Sequence, residues 1–384
     1  MIISILGTAG RDFKSKEKVS FFYDCSCLGK ESGDFCNSLE MLLDRFPVDE
    51  GYFIGTEVAI EFQKSLLEFD EKRHHFIPVE DDSLDDIFEK ILELLQEEQG
   101  ETILDITHGF RHQPIMAIFA STLSQFLERK ALKIIYAKEK ERLRSYQYIY
   151  LDEYIEITQI SLLLTGFIRT FNFIPVSNMK LLNNKVFEDF SKSLLSNDLR
   201  GVERNYKLLQ EELVMLKSNG DLKHISNLFE KVEKELRPLA MFAPLSPFQK
   251  YIFLSKMMVS KNYLVVSLAY IFESLREYCS YRFEDICVDI EFKDAYQRND
   301  NVMKTIGNYR KENMILNRYP HLYHRNKAAF KKVNKLYNKL RKRRNALAHI
   351  NTTSNFEDIK QDLKEMIERV EKLYNSNSLA HIAR

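Results

Sequence analysis

Over about the first 150 residues the chain alternates compact apolar runs with apolar stripes of helical period. Ile2 to Leu6 is an apolar run stopped by Gly7-Thr8, and Val19 to Cys27 is a second, rich in aromatic residues, that reads as strand or strand-like loop. Leu39, Leu42, Leu43 and Phe46 recur at helical spacing, so Phe35 to Phe46 reads as a helix. Tyr52-Phe53-Ile54 predicts a brief strand ended by Gly55-Thr56. Val58 to Phe69 reads as helix, and His75 to Val79 as an extended run in which Pro78 argues against a helix. Ser83 stands as N-cap to an amphipathic helix carrying Leu84, Ile87, Ile91, Leu94 and Leu95, with Asp85 and Asp86 in its first turn. Thr102 to Ile106 reads as strand. Pro114 suits the first turn of the helix that follows through Met116, Phe119, Leu123 and Phe126. Leu132 to Tyr136 and Tyr146 to Leu151 read as two more strands.

This rhythm predicts an α/β N-terminal domain, a mostly parallel sheet covered by helices on both faces. Ligands of such sheets sit beyond the carboxyl ends of the strands. Small polar residues mark three strand ends, Gly7-Thr8, Gly55-Thr56 and Asp105 to Gly109, so one ligand edge is expected. From about residue 155 the strand signals fade. Leu162 to Phe171, Val186 to Leu195, Arg204 to Leu216, Ile225 to Leu236, Phe248 to Met258, Leu264 to Cys279 and Glu357 to Leu373 read as helices, an all-α C-terminal region. Pro238, Pro244 and Pro247 bracket a loop, which suggests a division into residues 1–155, a helical spacer over 156–245 and a last domain over 246–384.

Composition narrows the classes. Lys and Arg number 56 and Asp and Glu 56, so a chain coated along its length by nucleic acid is not expected, although a local basic patch is compatible with that sum. Five cysteines without a C-x-x-C pair point away from zinc cages and disulfide frameworks and fit a reducing, cytoplasmic setting. Cys25 and Cys27 read as two small buried residues on a strand. No run approaches the roughly 18 apolar residues of a membrane span. The opening residues lack a basic leader and read as a strand rather than a signal peptide. No metal and no cofactor is expected.

Charge is distributed unevenly. Glu80 to Glu101 is acidic, most simply a solvated helix face. Arg325 to Arg344 carries ten Lys or Arg and no acid, with Tyr323, Phe330 and Tyr337 in or beside it. A run of one sign invites a polyanion, with Lys339, Arg341 and Arg343 as RNA contacts; a solvated helix or a subunit contact is the other reading. The run ends in Arg344-Asn345-Ala346-Leu347-Ala348-His349. Guanidinium clamps phosphate, and an imidazole near neutral pKa moves protons to or from a ribose 2′-OH or a departing 5′-oxygen. On one helix residues five apart differ by about 140° in azimuth, so the pair flanks a groove or meets a second subunit. A basic surface helix with an incidental histidine is the rival reading.

Arg344-Asn345 with His349 resembles the R-N-x-x-x-H signature of HEPN ribonucleases. Asp105-Ile106-Thr107-His108-Gly109 resembles the D-x-T-H-G motif of CRISPR-associated proteins with a CARF domain, a Rossmann-like sensor. The two motifs stand in the expected order. The resemblance implies a type III CRISPR antiviral ancillary nuclease: a metal-independent endoribonuclease that cuts single-stranded RNA, leaving a 2′,3′-cyclic phosphate and a 5′-OH. It implies Arg344, Asn345 and His349 as catalytic residues. It also implies activation by a cyclic oligoadenylate, cyclic tetra-adenylate or else cyclic hexa-adenylate, held by Gly7, Thr8, Thr56, Asp105, Thr107, His108, Gly109 and Arg111. A homodimer, or a higher oligomer, matches the two-fold symmetry of an even ring. Two alternatives stay open: a non-catalytic sensor whose basic helical domain binds nucleic acid or a partner, and a sensor that also degrades its own activator. From the residues alone, Thr107-His108-Gly109 also fits a plain strand-to-helix turn with capping residues. Gly7-Thr8-Ala9-Gly10 lacks the spacing of a dinucleotide fingerprint. His112 lies near the ligand edge and could assist it. His74-His75 and the pair His321 and His324 are thin as metal ligands. Glu273 and Arg276 read as an intrahelical pair or, more sharply, as support for Arg344.

Overall fold

The structure, a computed structural model, describes residues 1–12, 14–46, 50–80, 83–97, 100–127, 131–142, 144–176, 179–348, 355–376, 379 and 382. It divides into two compact units, residues 1–163 with 174–184 and residues 164–173 with 185–384.

Among the described residues the first unit has eight strands: β1 (Ile2–Ile5), β2 (Phe21–Asp24), β3 (Gly33–Phe35), β4 (Gly51–Gly55), β5 (His74–Pro78), β6 (Thr102–Asp105), β7 (Leu132–Glu141) and β8 (Ser145–Tyr150). They form one sheet in the order β3-β2-β8-β7-β6-β1-β4-β5. Only the β2–β3 and β7–β8 pairings are antiparallel. Between them run α1 (Ser38–Arg45), α2 (Glu57–Lys64), α3 (Leu84–Glu97) and α4 (His112–Leu127), and α5 (Asp152–Thr170) follows the sheet. Alternating side chains feed two cores. Ile3, Ile5, Ile54 and Ile134 pack with α3 and α4. Ile2 and Ile135 pack with Met41 and Leu42 of α1, and Leu6 and Phe53 pack with Leu39 of α1 and with Ala59 and Ile60 of α2. Period-two burial of this kind needs a sheet covered on both faces, which makes the unit the α/β layer expected from the alternation.

The order places β1 between β4, which leads outward to β5, and β6, which leads the other way. The direction of winding reverses there, so the carboxyl ends of β1 and β6 open a crevice. Ser83 caps α3 through a bond accepted from the Asp86 amide, 3.2 Å, as its position ahead of the apolar stripe predicts. The Cys25–Cys27 expectation needs correction. Cys25 is buried just past β2, but Cys27 is exposed in a 3-10 turn, its thiol 2.7 Å from the Tyr148 carbonyl.

The second unit is helical: α6 (Asn184–Leu195), α7 (Leu199–Ser218), α8 (Ser226–Leu236), α9 (Pro247–Ser260), α10 (Leu264–Arg282), α11 (Glu284–Cys287), α12 (Ala295–Ile306), α13 (Met314–Arg318), α14 (Leu322–Arg325), α15 (Lys327–Ala348) and α16 (Phe356–Asn375). Helix α10 is the hub, packed on α9, α12, α15 and α16. Its buried residues, Leu268, Tyr270, Ile271, Phe272, Leu275, Tyr278 and Cys279 among them, leave it almost no solvent face. Tyr270 donates to the Leu194 carbonyl, 2.7 Å, tying α10 to α6. Helix α15, the basic run, is held by Phe330, Val333 and Leu340, all fully buried, which puts its many charges outward. No described helix is long and apolar enough to cross a membrane.

Candidate functional site

In the first unit the strand ends surround a cleft of about 840 Å³. Gly7 and Thr8 line it after β1, Thr56 and Glu57 after β4, Val79 and Glu80 after β5, and Gly109, Phe110 and Gln113 after β6. The turn after β6 needs glycine: Gly109 has φ +96°, and a Cβ there would stand 2.5 Å from Ile5 and 2.6 Å from Gln113 Oε1. A Cβ on Gly7 would stand 3.2 Å from the Gly109 amide nitrogen, so the two backbones approach closely there.

Of the expected ligand residues, Asp105, Thr107, His108 and Arg111 are not among those that line this cleft. Asp105, fully buried, accepts from the Ser4 and Ser38 hydroxyls, each 3.0 Å, and from the Thr107 amide, 3.1 Å, and hydroxyl, 2.5 Å. Thr107 Oγ1 in turn accepts from the Ala137 amide, 2.9 Å. One carboxylate thus binds β1, β6 and the first residue of α1 into a block. A buried charge with this many donors is satisfied rather than orphaned. His108 sits beside it, its Nε2 facing the Ser38 amide at 3.5 Å. Burial holds its pKa below the ordinary value, against the opposing pull of Asp105. A neutral ring with the proton on Nδ1 fits that bond. Arg111 is exposed. His112 opens α4 with Phe110 parallel to it, centroids 6.2 Å apart, and its Nε2 is buried without a partner.

Several residues that sequence reasoning passed over shape this edge. Gln63 of α2 donates to the Gly7 carbonyl, 2.6 Å, and Asn37, the N-cap of α1, donates to the Ala9 carbonyl, 3.0 Å. Gln113 accepts from the Phe110 amide, 3.0 Å, while its Nε2 is buried and unpartnered. The cleft lining includes Glu57, Glu80 and Asp86 and, among the described residues, no cation.

In the second unit Arg344, Arg276 and Arg341 gather round an aromatic pair. The Arg344 guanidinium lies 4.5 Å from the centroid of Phe272, and the Arg276 guanidinium 5.9 Å from the same ring. Tyr337, one turn before Arg341 on α15, packs on Phe272 with centroids 5.0 Å apart. Burial raises the Tyr337 phenol above its ordinary value, and the charges of Arg276, Arg341 and Arg344 offset only part of that. Glu273 holds Arg276 in an i,i+3 pair, 3.1 Å, the intrahelical pair expected from the sequence. The Arg276, Arg341 and Arg344 guanidiniums thus gather on one patch, Arg344 over the Phe272 ring and Arg276 already paired with Glu273. Asn345 is exposed next to Arg344. His349 lies outside the described residues.

Lys339 and Arg343 are not open cations. Both meet Asp362 of α16, Lys339 at 3.0 Å and Arg343 at 2.7 Å. Burial works to raise the Asp362 carboxyl, but these two bonds outweigh it and hold it below the usual range. His321 and His324 are exposed around α14. Among the described residues no group of three or more His, Cys, Asp or Glu is placed to hold a metal ion. No protein-family model matches this chain, and no curated protein matches it.

Proposed function

We propose that the protein is a cyclic-oligoadenylate-activated, metal-independent endoribonuclease of the CARF–HEPN kind, acting on single-stranded RNA in type III CRISPR antiviral defence. The observation that carries this reading is the gathering of Arg341 and Arg344, eight and five residues before His349 in sequence, with Arg276 of α10 round Phe272 and Tyr337, which we read as an anion clamp. In the reaction the RNA 2′-oxygen attacks the adjacent phosphorus, the bond to the 5′-oxygen breaks, and a proton passes from the 2′-OH to the leaving oxygen. Arg344 holds the non-bridging oxygens as charge builds on them, and Asn345 orients the phosphate. His349 moves the proton. The products are a 2′,3′-cyclic phosphate and a 5′-OH.

The strand-end cleft is the activator site of this reading, supported by its place at the winding reversal and by the unpartnered Gln113 amide at its wall. Its carboxylates suit the amino edges of adenine as hydrogen-bond acceptors. The ring phosphates belong over the backbone of Gly7, Thr8 and Gly109 and toward Arg111. Exposed Ile115, Phe119 and Leu123 form an apolar stripe along α4, 50%, 57% and 38% exposed, which supports pairing of two copies through the sensor unit. Activator binding then favours one arrangement of the dimer over another, which requires tighter binding to that arrangement.

End-group analysis of cleaved RNA in excess chelator tests the chemistry. Fragments ending in a 2′,3′-cyclic phosphate and a 5′-OH are expected. Fragments with a 5′-phosphate, or cleavage abolished by chelation, count against it.

A further inference from the structure

Helix α15 carries a second cationic face. Taking about 100° per residue, Tyr337, Arg341 and Arg344 fall within one narrow arc of the helix, and Lys332, Lys335, Lys339 and Lys342 within another about 170° away. The lysine arc faces α16, where Arg369 and Lys372 complete the two walls of an open groove of about 850 Å³. Leu336, Leu373, Asn338 and Ser376 line it with the cations, and among the described residues no acidic side chain does. Of the six cations, Lys339 is paired with Asp362 and Arg369 with Glu365. The other four, Lys332, Lys335, Lys342 and Lys372, are exposed and have no ion pair among the described residues.

We infer that this groove binds the sugar–phosphate backbone of a single nucleic-acid strand, at a site separate from the Arg344 clamp. Its lysines span about 15 Å along the helix axis, room for several successive phosphates. Like charges held this close repel one another, and a polyanion releases that repulsion together with its own counterions. Lysine is a point charge on a long stem, so it follows a backbone without requiring one fixed fork geometry. The leucines give base faces an apolar floor, and the lysines meet phosphates, which carry no sequence information, so binding depends little on sequence. Packed helices lie about 8–10 Å apart, which suits one strand better than a duplex. As a substrate track the groove rests on the ribonuclease reading, since it would hold RNA that the clamp on the opposite face of α15 cuts.

The test uses the full-length protein and a labelled 30-nucleotide oligodeoxythymidylate, which lacks the 2′-OH and so reports binding whether or not the protein cleaves RNA. The unaltered protein is expected to bind it with an affinity that falls steeply with salt. The quadruple variant Lys332→Gln, Lys335→Gln, Lys342→Gln and Lys372→Gln is expected to bind at least about tenfold more weakly at low salt, with a log–log salt slope shallower by about 3, from ~0.7 per phosphate contact on a single strand. A melting curve checks its folding, and the pair Lys332→Gln with Lys372→Gln serves if the quadruple variant does not fold. Unchanged affinity and slope in a folded variant overturn the inference. So does a protein that ignores the oligonucleotide and binds polyglutamate through the same lysines, which assigns the groove to an acidic protein. Strand binding that depends on the lysines, in a protein that cuts no RNA, keeps the groove and removes the nuclease.

Discussion

Arg276 and Arg344 share one ring. They come from two helices, α10 and α15, and their guanidiniums lie 5.9 and 4.5 Å from the centroid of Phe272. Phe272 itself is only 5% exposed, and Glu273 holds Arg276 from one side. Planarity matters here, because a flat guanidinium both stacks and forks whereas an ammonium does neither. Arg344→Lys is therefore expected to behave much like Arg344→Ala. Each should lower RNA cleavage about 100-fold or more, the scale on which loss of one preorganised charge donor acts, with the melting temperature nearly unchanged. Single-turnover cleavage rates check this, and a fully active Arg344→Lys would remove the stacking argument.

Phe272 should matter to stability as well as to the clamp. Phe272→Ala empties a buried site between α10 and α15 and is expected to lower unfolding free energy by about 3 kcal/mol. Urea denaturation measures it, and a loss under about 1 kcal/mol would mean the ring is not part of the packed core.

The block under the cleft predicts a pH response. His108 has its pKa lowered by burial, so the unfolded chain binds more protons than the folded one between the two values. The stabilisation is complete above the unfolded value, about 6.5, and declines as pH falls from there toward the folded value. Urea midpoints should drop on acidification from pH 7.5 to 5.5, and His108→Asn should flatten that part of the curve. An equal drop in the variant would assign the response to other groups.

Much of this architecture was legible in the pattern of the chain, and the gaps have physical causes. Short apolar or aromatic runs mark seven of the eight strands of the described residues, because each packs on one or both faces. Gly33-Asp34-Phe35 has no alternation to detect and is held by its ladder with β2, so Phe35, read from the pattern as the start of a helix, lies in β3 and α1 begins only at Ser38. β7 runs on through Lys138, Glu139, Lys140 and Glu141, a polar stretch kept extended by backbone bonds to β8. α5 starts at Asp152, ten residues before the stripe that betrays it. The surroundings of the candidate residues were less legible. Ser4 and Ser38 lie 101 and 67 residues from Asp105, and Asp362 lies 19 residues from Arg343, so no local pattern announces these bonds. That Arg276 and Arg344 meet at Phe272 depends on which faces of α10 and α15 pack together, a property of the fold and not of either helix.

Gly109 should be intolerant of any side chain. Gly109→Ala combines a φ of +96° with contacts of 2.5 and 2.6 Å. A loss of about 3 kcal/mol is expected from strain and overpacking together, read by urea denaturation. A substitution tolerated without loss would show that the turn can relax and that glycine is not structurally required there.

The α4 stripe predicts self-association. Phe119→Glu puts a charge at the centre of Ile115, Phe119 and Leu123, and is expected to turn a dimer into a monomer in sedimentation equilibrium without unfolding it. A protein that is monomeric before the change, or a variant that stays dimeric, removes α4 as the contact.

The most direct test of the whole account is the rate of single-stranded RNA cleavage by the full-length protein, in chelator, with cyclic tetra-adenylate, with cyclic hexa-adenylate and with neither. The account predicts that one of the rings raises the rate at least tenfold and that His349→Ala or Arg344→Ala abolishes the response. Cleavage indifferent to both rings, or undiminished in His349→Ala, contradicts it.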